Sequence, residues 1–241
     1  MNAVGRPRRA LPIPASLDGL LSADARQDIF EPENPRLLVP RTVGVGWDLN
    51  FGALAVRLGL IRPDDSLPDL RDHIPERVSR ALALAPVLGL CAVAGTVLAA
   101  HNHPELPSRW TPTLRPKTWK PARRVGLQHL GVAGLLAAWA EWADQTDGRV
   151  DPVASALTAG LHSSSVLLLL AAARAARKPT TDHPSVLAAV AMVAPVVVTT
   201  GLLVATVTSA LDQIAEDLAR ARHDATDEAP VRTTPQENPD E

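Results

Sequence analysis

The chain has 241 residues and a formal net charge of −2, enough length for one or two domains and too little positive charge for a general nucleic-acid binder. Apolar residues make up 46% but aromatics only 3%, with no Tyr and two Phe, so the apolar content is aliphatic, and it is clustered along the chain. The lone cysteine, Cys91, excludes an intramolecular disulfide framework.

The opening residues, MNAVGRPRRALPIPASLDG, carry a basic stretch with no apolar segment behind it and read neither as a signal peptide nor as a twin-arginine signal. Residues 1–15 are expected to be mobile. Over 16–29, Leu17, Leu20, Leu21, Ala25 and Ile29 recur at helical spacing, with Ser16 placed as an N-cap, which predicts a short amphipathic helix. A Pro-rich turn follows at 30–36. Leu37-Leu38-Val39 reads as a short strand and Val43 to Phe51 as a second, giving a β-hairpin over about 36–51. Period-two alternation puts Trp47, Leu49 and Phe51 on one face and Asp48 and Asn50 on the other. Gly44 and Gly46 relieve crowding near the turn. A two-stranded unit is marginal alone in water. This one is expected to rest on the lipid headgroup layer or on the 16–29 helix.

From Ser79 the character changes. Residues 81–100 are twenty positions without a charge, and twenty helical residues rise about 30 Å, the thickness of a bilayer core. Residues 184–211 are charge-free and longer still. Between them, 125–143 carries Gln128, His129 and Glu141, and 153–173 carries His162 followed by Ser163, Ser164 and Ser165 at mid-span. Charges at span ends snorkel, so both weaker segments are expected to span beside the two strong ones. A soluble helix normally shows a polar face, and the two strong segments show none. The expectation is four membrane helices near 80–100, 125–143, 153–175 and 184–212, packed as a bundle, with Pro86 and Pro195 kinking the first and last. The last helix is expected to continue to about residue 223, followed by a disordered acidic tail.

The chain is thus expected to be mainly α. An N-terminal soluble or interfacial module (1–78) precedes a four-span transmembrane bundle (79–213), then a helical extension with a disordered tail (214–241). Four spans place both termini on one side. The ten arginines in the first 78 residues, with no export signal, favour the cytoplasm, whereas the basic loops after the first and third spans favour the reverse. Trp110 and Trp119 fit one interfacial belt, and Trp139 and Trp142 the other.

The stretch PENPRLLVPRTVGVGWDLNF resembles a short domain of unknown function that accompanies multi-pass bacterial membrane proteins, among them relatives of the sporulation-delaying toxin immunity protein. The residues that carry the resemblance include Pro35, Arg36, Gly44, Gly46, Trp47, Asn50 and Phe51, while Leu38 and Asp48 stand where the pattern has Phe and Thr. The resemblance implies a bacterial membrane location and no known activity.

Other constellations are weighed against plain structural roles. His101-Asn102-His103 with Glu105 resembles a metal-binding pair, but the ligand count is too low for a site, and no metal or cofactor is expected. His129 and His162 are ionisable groups inside spans and hence functional candidates by default. Serines beside His162, and Thr199, Thr200 and Thr206, fit polar contacts between helices faced with small residues, the preferred reading for both histidines. There is no P-loop, dinucleotide fingerprint, HExxH or GxSxG, and no nucleophile with its partners. The expected function is non-enzymatic: an accessory, sensor or immunity-type partner of another membrane protein or of a second copy, in contact with lipid and not with nucleic acid. The alternatives are a transporter or channel-like subunit with His162 in the path, and a lipid-acting interfacial enzyme using the basic 109–124 loop.

Overall fold

The computed structural model describes residues 15–16, 28–41, 44–177 and 184–227. In chain order, strand β1 (Ala15–Ser16) is followed by a 3-10 turn at Asp28–Phe30, then β2 (Leu38–Pro40), β3 (Gly44–Val45) and β4 (Trp47–Leu49). Two short helices come next, α1 (Phe51–Arg57) and α2 (Leu67–Leu70), with a 3-10 turn at Arg71–His73. The long helices are α3 (Glu76–Ala100), α4 (Ala122–Asp147), α5 (Pro152–Arg177) and α6 (Val186–Asp227), and a hairpin of β5 (Glu105–Trp110) and β6 (Pro116–Pro121) joins α3 to α4. The described residues are therefore mainly helical, with three small two-stranded antiparallel sheets: β1–β3, β2–β4 and β5–β6.

Among the described residues, three helices are long and apolar enough to cross a membrane: α3, α5 and the Val186–His223 part of α6. The expected fourth span, 125–143, is not among them. Residues 122–147 do form a full helix within the bundle, but Gln128, His129 and Glu141 break its apolar run, and Arg123 and Arg124 occupy its start. On α3, α4 and α6 the side chains Leu88, Leu98, Leu135, Val186 and Met192 point outward, each more than 60% exposed, so the bundle's outer surface is aliphatic.

The helix ends are fixed by local chemistry. Asp151 caps α5, its Oδ1 accepting from the N–H groups of Val153 at 2.9 Å and Ala154 at 3.0 Å. Ser185 Oγ accepts from the Ala188 N–H at 3.2 Å and caps α6. Gly148, at φ +65°, ends α4 in the left-handed conformation that glycine tolerates. Pro86 and Pro195 lie inside helices that continue through them.

The long helices alternate in direction. At one end, Phe51, Leu67 and Leu70 of the N-terminal module share a core with Val153 and Ala156 of α5 and Leu203, Val207 and Ala210 of α6. At the other end, Leu106 of β5 and the partly buried Trp110 pack with Val93 and Ala100 of α3, Val125 of α4 and Leu169 and Ala172 of α5. Trp139 and Trp142 pack on Ala140, Ala143 and Ala154 near the module end. The N-terminal module and the exit of α6 thus occupy one end of the bundle, and the β5–β6 hairpin the other.

The single hairpin expected over 36–51 is also corrected. Only 38–40 and 47–49 pair with one another, Leu38 opposite Leu49 and Pro40 opposite Trp47. Gly44 and Val45 instead pair with Ser16 and Ala15. Ser16 is therefore a strand residue and not a helix cap, and the rest of the expected 16–29 helix falls on residues 17–27, outside the described ones, or on the 3-10 turn. Phe51 does not continue β4. It opens α1, because Asn50 caps the helix there. The helix α6 runs to Asp227, past the expected stop, and residues 228–241, expected to be a disordered tail, lie outside the described residues.

Candidate functional site

The motif builds a closed unit around Asn50, which is fully buried. Its Oδ1 accepts from the Ala53 N–H at 3.1 Å, the N-cap bond of α1, and from the Glu31 N–H at 3.1 Å. Its Nδ2 donates to the carbonyls of Glu31 at 2.8 Å and Asn34 at 3.3 Å. All four hydrogen-bonding positions of the amide are filled, which only Asn or Gln chemistry permits at this depth. The turn around Pro32 is thereby stapled to the start of α1.

Three neighbours complete the unit. Gly52 faces the same turn so closely that a Cβ on it would lie 2.6 Å from the Pro32 nitrogen, so no larger residue fits without moving backbone. Arg57, in the last turn of α1, donates to the Pro35 carbonyl at 3.0 Å. Past it the chain turns at Gly59, φ +68°, where the Gly59 N–H bonds the Val56 carbonyl at 2.9 Å and the Leu60 N–H the Ala55 carbonyl at 3.0 Å, the paired pattern of a Schellman stop.

The other motif residues take distinct places. Arg36 is exposed, and its N–H donates to Asn34 Oδ1 at 3.2 Å. Gly46 has φ +126°, strained for any residue with a side chain, and its carbonyl accepts from the Arg41 N–H at 3.0 Å. Gly44 pairs through its backbone with Ser16. An Arg41–Asp48 ion pair of 2.9 Å links the strands across the β2–β4 pair. Trp47 is 39% exposed whereas Phe51 is only 7% exposed, so the two aromatics do not share one face as alternation had suggested. Phe51 instead plugs the bundle end beside Phe30 and Val207.

Within the bundle, His162 sits where α3, α4 and α5 meet, 1% exposed. Its Nε2 lies 3.0 Å from the Ala133 carbonyl of α4. Its ring fills the space opposite Gly89 of α3, where a Cβ would collide with it. Nearby hydroxyls join α5 to α6: Ser164 Oγ donates to the Ala191 carbonyl at 2.7 Å and Thr199 Oγ1 to the Ala156 carbonyl at 3.3 Å. Gly160 lets α5 approach α6, its missing Cβ position lying 2.9 Å from the Pro195 carbonyl. This is a seam of small residues and backbone-directed polar side chains. His129 is half-buried on α4, about one helical turn before Ala133, and no hydrogen bond joins it to His162. His101 is exposed, with Nδ1 turned to the Leu98 carbonyl, and among the described residues no three His, Cys, Asp or Glu converge as a metal site.

Sequence reasoning missed Gly52, Arg57 and the role of Glu31. The signal for the first was present: an Asn directly before Phe-Gly-Ala-Leu-Ala is a helix N-terminus pattern. Residues 32–57 match the model of a family described as a family of unknown function, DUF5808. The matched segment runs from the Pro32 turn to Arg57, the same stretch that the Asn50 and Arg57 hydrogen bonds close on itself. No curated protein and no solved structure matches the chain.

Proposed function

We propose that the chain is a small multi-pass integral membrane protein of a bacterial cytoplasmic membrane that acts without catalysis, as an accessory, sensor or immunity-type partner of another membrane protein or of a second copy. One observation carries this reading: three helices long and apolar enough to cross a membrane end at a module whose Asn50 closes it on itself and whose Phe51 fastens it to the bundle. Asn50, Gly52 and Phe51 are consumed in packing and leave no convergent reactive group. Leu38, Trp47, Leu58 and Leu60 remain outward on the module, and they are the surface offered to a partner. The likeness of the motif to domains found beside relatives of the toxin immunity protein supports the immunity-type role. In this reading α4 inserts with its three neighbours, and both termini face the cytoplasm.

Carbonate extraction of membranes, followed by mild-detergent purification and identification of bound proteins, tests the proposal. Stable retention of one membrane protein, lost when Trp47 and Leu58 are changed to Ser, supports it. Release of the chain by carbonate overturns it.

A transport reading draws on His162, whose Nδ1 has no hydrogen-bond partner among the described residues. Ion or proton flux from liposomes containing wild type, absent with His162→Gln, would replace the accessory role by this one.

A further inference from the structure

The two ends of the bundle differ in how their cations are satisfied. At the module end carboxylates answer several of them: Arg80 pairs with Glu76, Arg149 with Asp72, and Arg220 with Glu216 and Asp217, while Arg36, Arg62 and Arg77 are exposed there without an ion pair among the described residues. At the hairpin end, Arg109, Lys117, Arg123, Arg124, Arg174 and Arg177 are exposed, and none makes an ion pair among the described residues. The only carboxylate in 101–124 and 174–177 is Glu105.

These cations share one level. On α4 the exposed Leu127 is followed toward the helix start by Arg124 and Arg123, three and four residues away, or about 5–6 Å along the axis. On α5 the exposed Leu170 is followed toward the helix end by Arg174, again four residues away. Two antiparallel helices therefore change from outward aliphatic to outward guanidinium within one turn, at the same end. The β5–β6 hairpin lies over that end, seated by Leu106 and Trp110, and adds Arg109 and Lys117 above the level. Charge with no ion pair among the described residues, set directly above an aliphatic belt, matches one counter-surface, a layer of phosphate groups on acyl chains. Guanidinium groups suit phosphate because their fork of donors engages two oxygens at once.

We propose that the β5–β6 end of the bundle is a binding surface for anionic phospholipid headgroups, held by Arg123, Arg124, Arg174 and Arg177 with the hairpin above them. This rests on the membrane reading given above. Binding is set by the phosphate and the net negative headgroup, so it falls with ionic strength and discriminates phosphatidylglycerol from zwitterionic phosphatidylcholine.

The full chain is reconstituted in nanodiscs of phosphatidylcholine and phosphatidylglycerol in equal parts, and the lipids that stay with the protein on detergent release are counted by native mass spectrometry. Wild type should retain phosphatidylglycerol in clear excess, with the excess shrinking as salt rises. Arg123→Gln, Arg124→Gln, Arg174→Gln and Arg177→Gln together should weaken retention by roughly tenfold or more, on the scale of surface cations near a charged bilayer. Arg80→Gln with Arg149→Gln at the module end should leave it unchanged. Equal retention of both lipids by wild type overturns the proposal, and this arm does not depend on whether the fourfold variant folds. Unchanged retention by a folded fourfold variant overturns it too. A wild-type chain that inserts with no lipid preference sinks this inference alone, whereas one that enters no bilayer sinks the membrane reading and this inference with it.

Discussion

The side chain of Asn50 and the backbone of Glu31 hold each other in both directions, Oδ1 accepting from the Glu31 N–H at 3.1 Å and Nδ2 donating to the Glu31 carbonyl at 2.8 Å. The exchange imitates a strand ladder between a side chain and a turn. Asn50→Asp keeps the acceptor and replaces both donors with an oxygen facing two carbonyls. It should lower the local stability of the module by about 2–4 kcal/mol, since buried unsatisfied groups are costly. Hydrogen exchange at Glu31 and Ala53 reads this directly, and unchanged protection in the variant would count against the staple.

The aromatic that fastens the module is Phe51. Phe51→Ala removes a ring buried among Phe30, Leu67, Val207 and Ala210 and should cost about 3–5 kcal/mol of module docking. Trp47→Ala, at a 39% exposed position, should cost far less. Protease sensitivity of residues 30–60 in intact membranes distinguishes them: cleavage should rise with Phe51→Ala and stay near wild type with Trp47→Ala. The reverse order would place the anchor on the strand.

Gly89 and His162 should behave as one site. Gly89→Ala drives a methyl into the imidazole and should destabilise the bundle by about 1–3 kcal/mol, as overpacked cores do. His162→Ala vacates that space at the cost of the Ala133 contact. The double variant should be more stable than the sum of the two single losses predicts, a coupling that detergent denaturation can measure. Strict additivity would mean that the two residues do not meet.

For α4 the expectation is insertion despite its broken apolar run. In a Cys91→Ser background, a cysteine at the 73% exposed Leu135 position should resist a membrane-impermeant thiol reagent, and one at Thr113 in the hairpin turn should react. Equal labelling would leave α4 outside the bilayer.

The Arg149 guanidinium, by hydrogen bond and charge, holds the Asp72 carboxyl below its ordinary range. A depressed carboxylate contributes its stability above the unfolded-state value of about 3.9 and loses it as pH falls through the lower folded value. The contact between the module and the α4–α5 turn should therefore be constant near neutrality and weaken only in acid. Asp72→Asn should remove that acid dependence, which the pH profile of hydrogen exchange around residues 148–150 would show. The same profile in the variant as in wild type would discard the link.

What could be read in advance follows from how local the determinants are. The helices α3 and α6 were legible because charge-free length is a property of consecutive residues. The continuation of α6 to about residue 223 was legible for the same reason, in helical spacing that carries on through Leu211, Ile214 and Leu218. The α4 helix was legible as a helix, but it is not one of the helices apolar enough to cross, because Gln128, His129 and Glu141 interrupt its apolar run. The β5–β6 hairpin was hidden by Pro107, Pro116 and Pro121, which normally argue against strands. They are accommodated because a two-stranded sheet consists only of edges. At Phe51 two local signals competed: alternation from Trp47 onward argued strand, and Asn before an Ala-rich stretch argued helix cap. The cap prevailed because Asn50 also satisfies Glu31 and Asn34, partners that spacing alone does not reveal. Small residues and polar side chains within the helices were legible around His162, while the identity of Gly89 and Ala133 as the walls of its site required three helices in place.

The pairing of Phe51 with Val207 and Ala210 also imposes an order on biosynthesis. The ribosome completes the motif early but supplies its apolar seat about 150 residues later. At about 5–20 residues per second, that delay is on the order of ten seconds or more. Throughout it, the hydrogen-bonded staple at Asn50 can form from nearby residues, while Phe51 has no finished site to enter. Full docking is therefore a late event that only a completed α6 permits, and a chain truncated before residue 203 would carry a folded motif whose aromatic ring is covered on one side only, by Phe30, Leu67 and Leu70 with Val153 and Ala156.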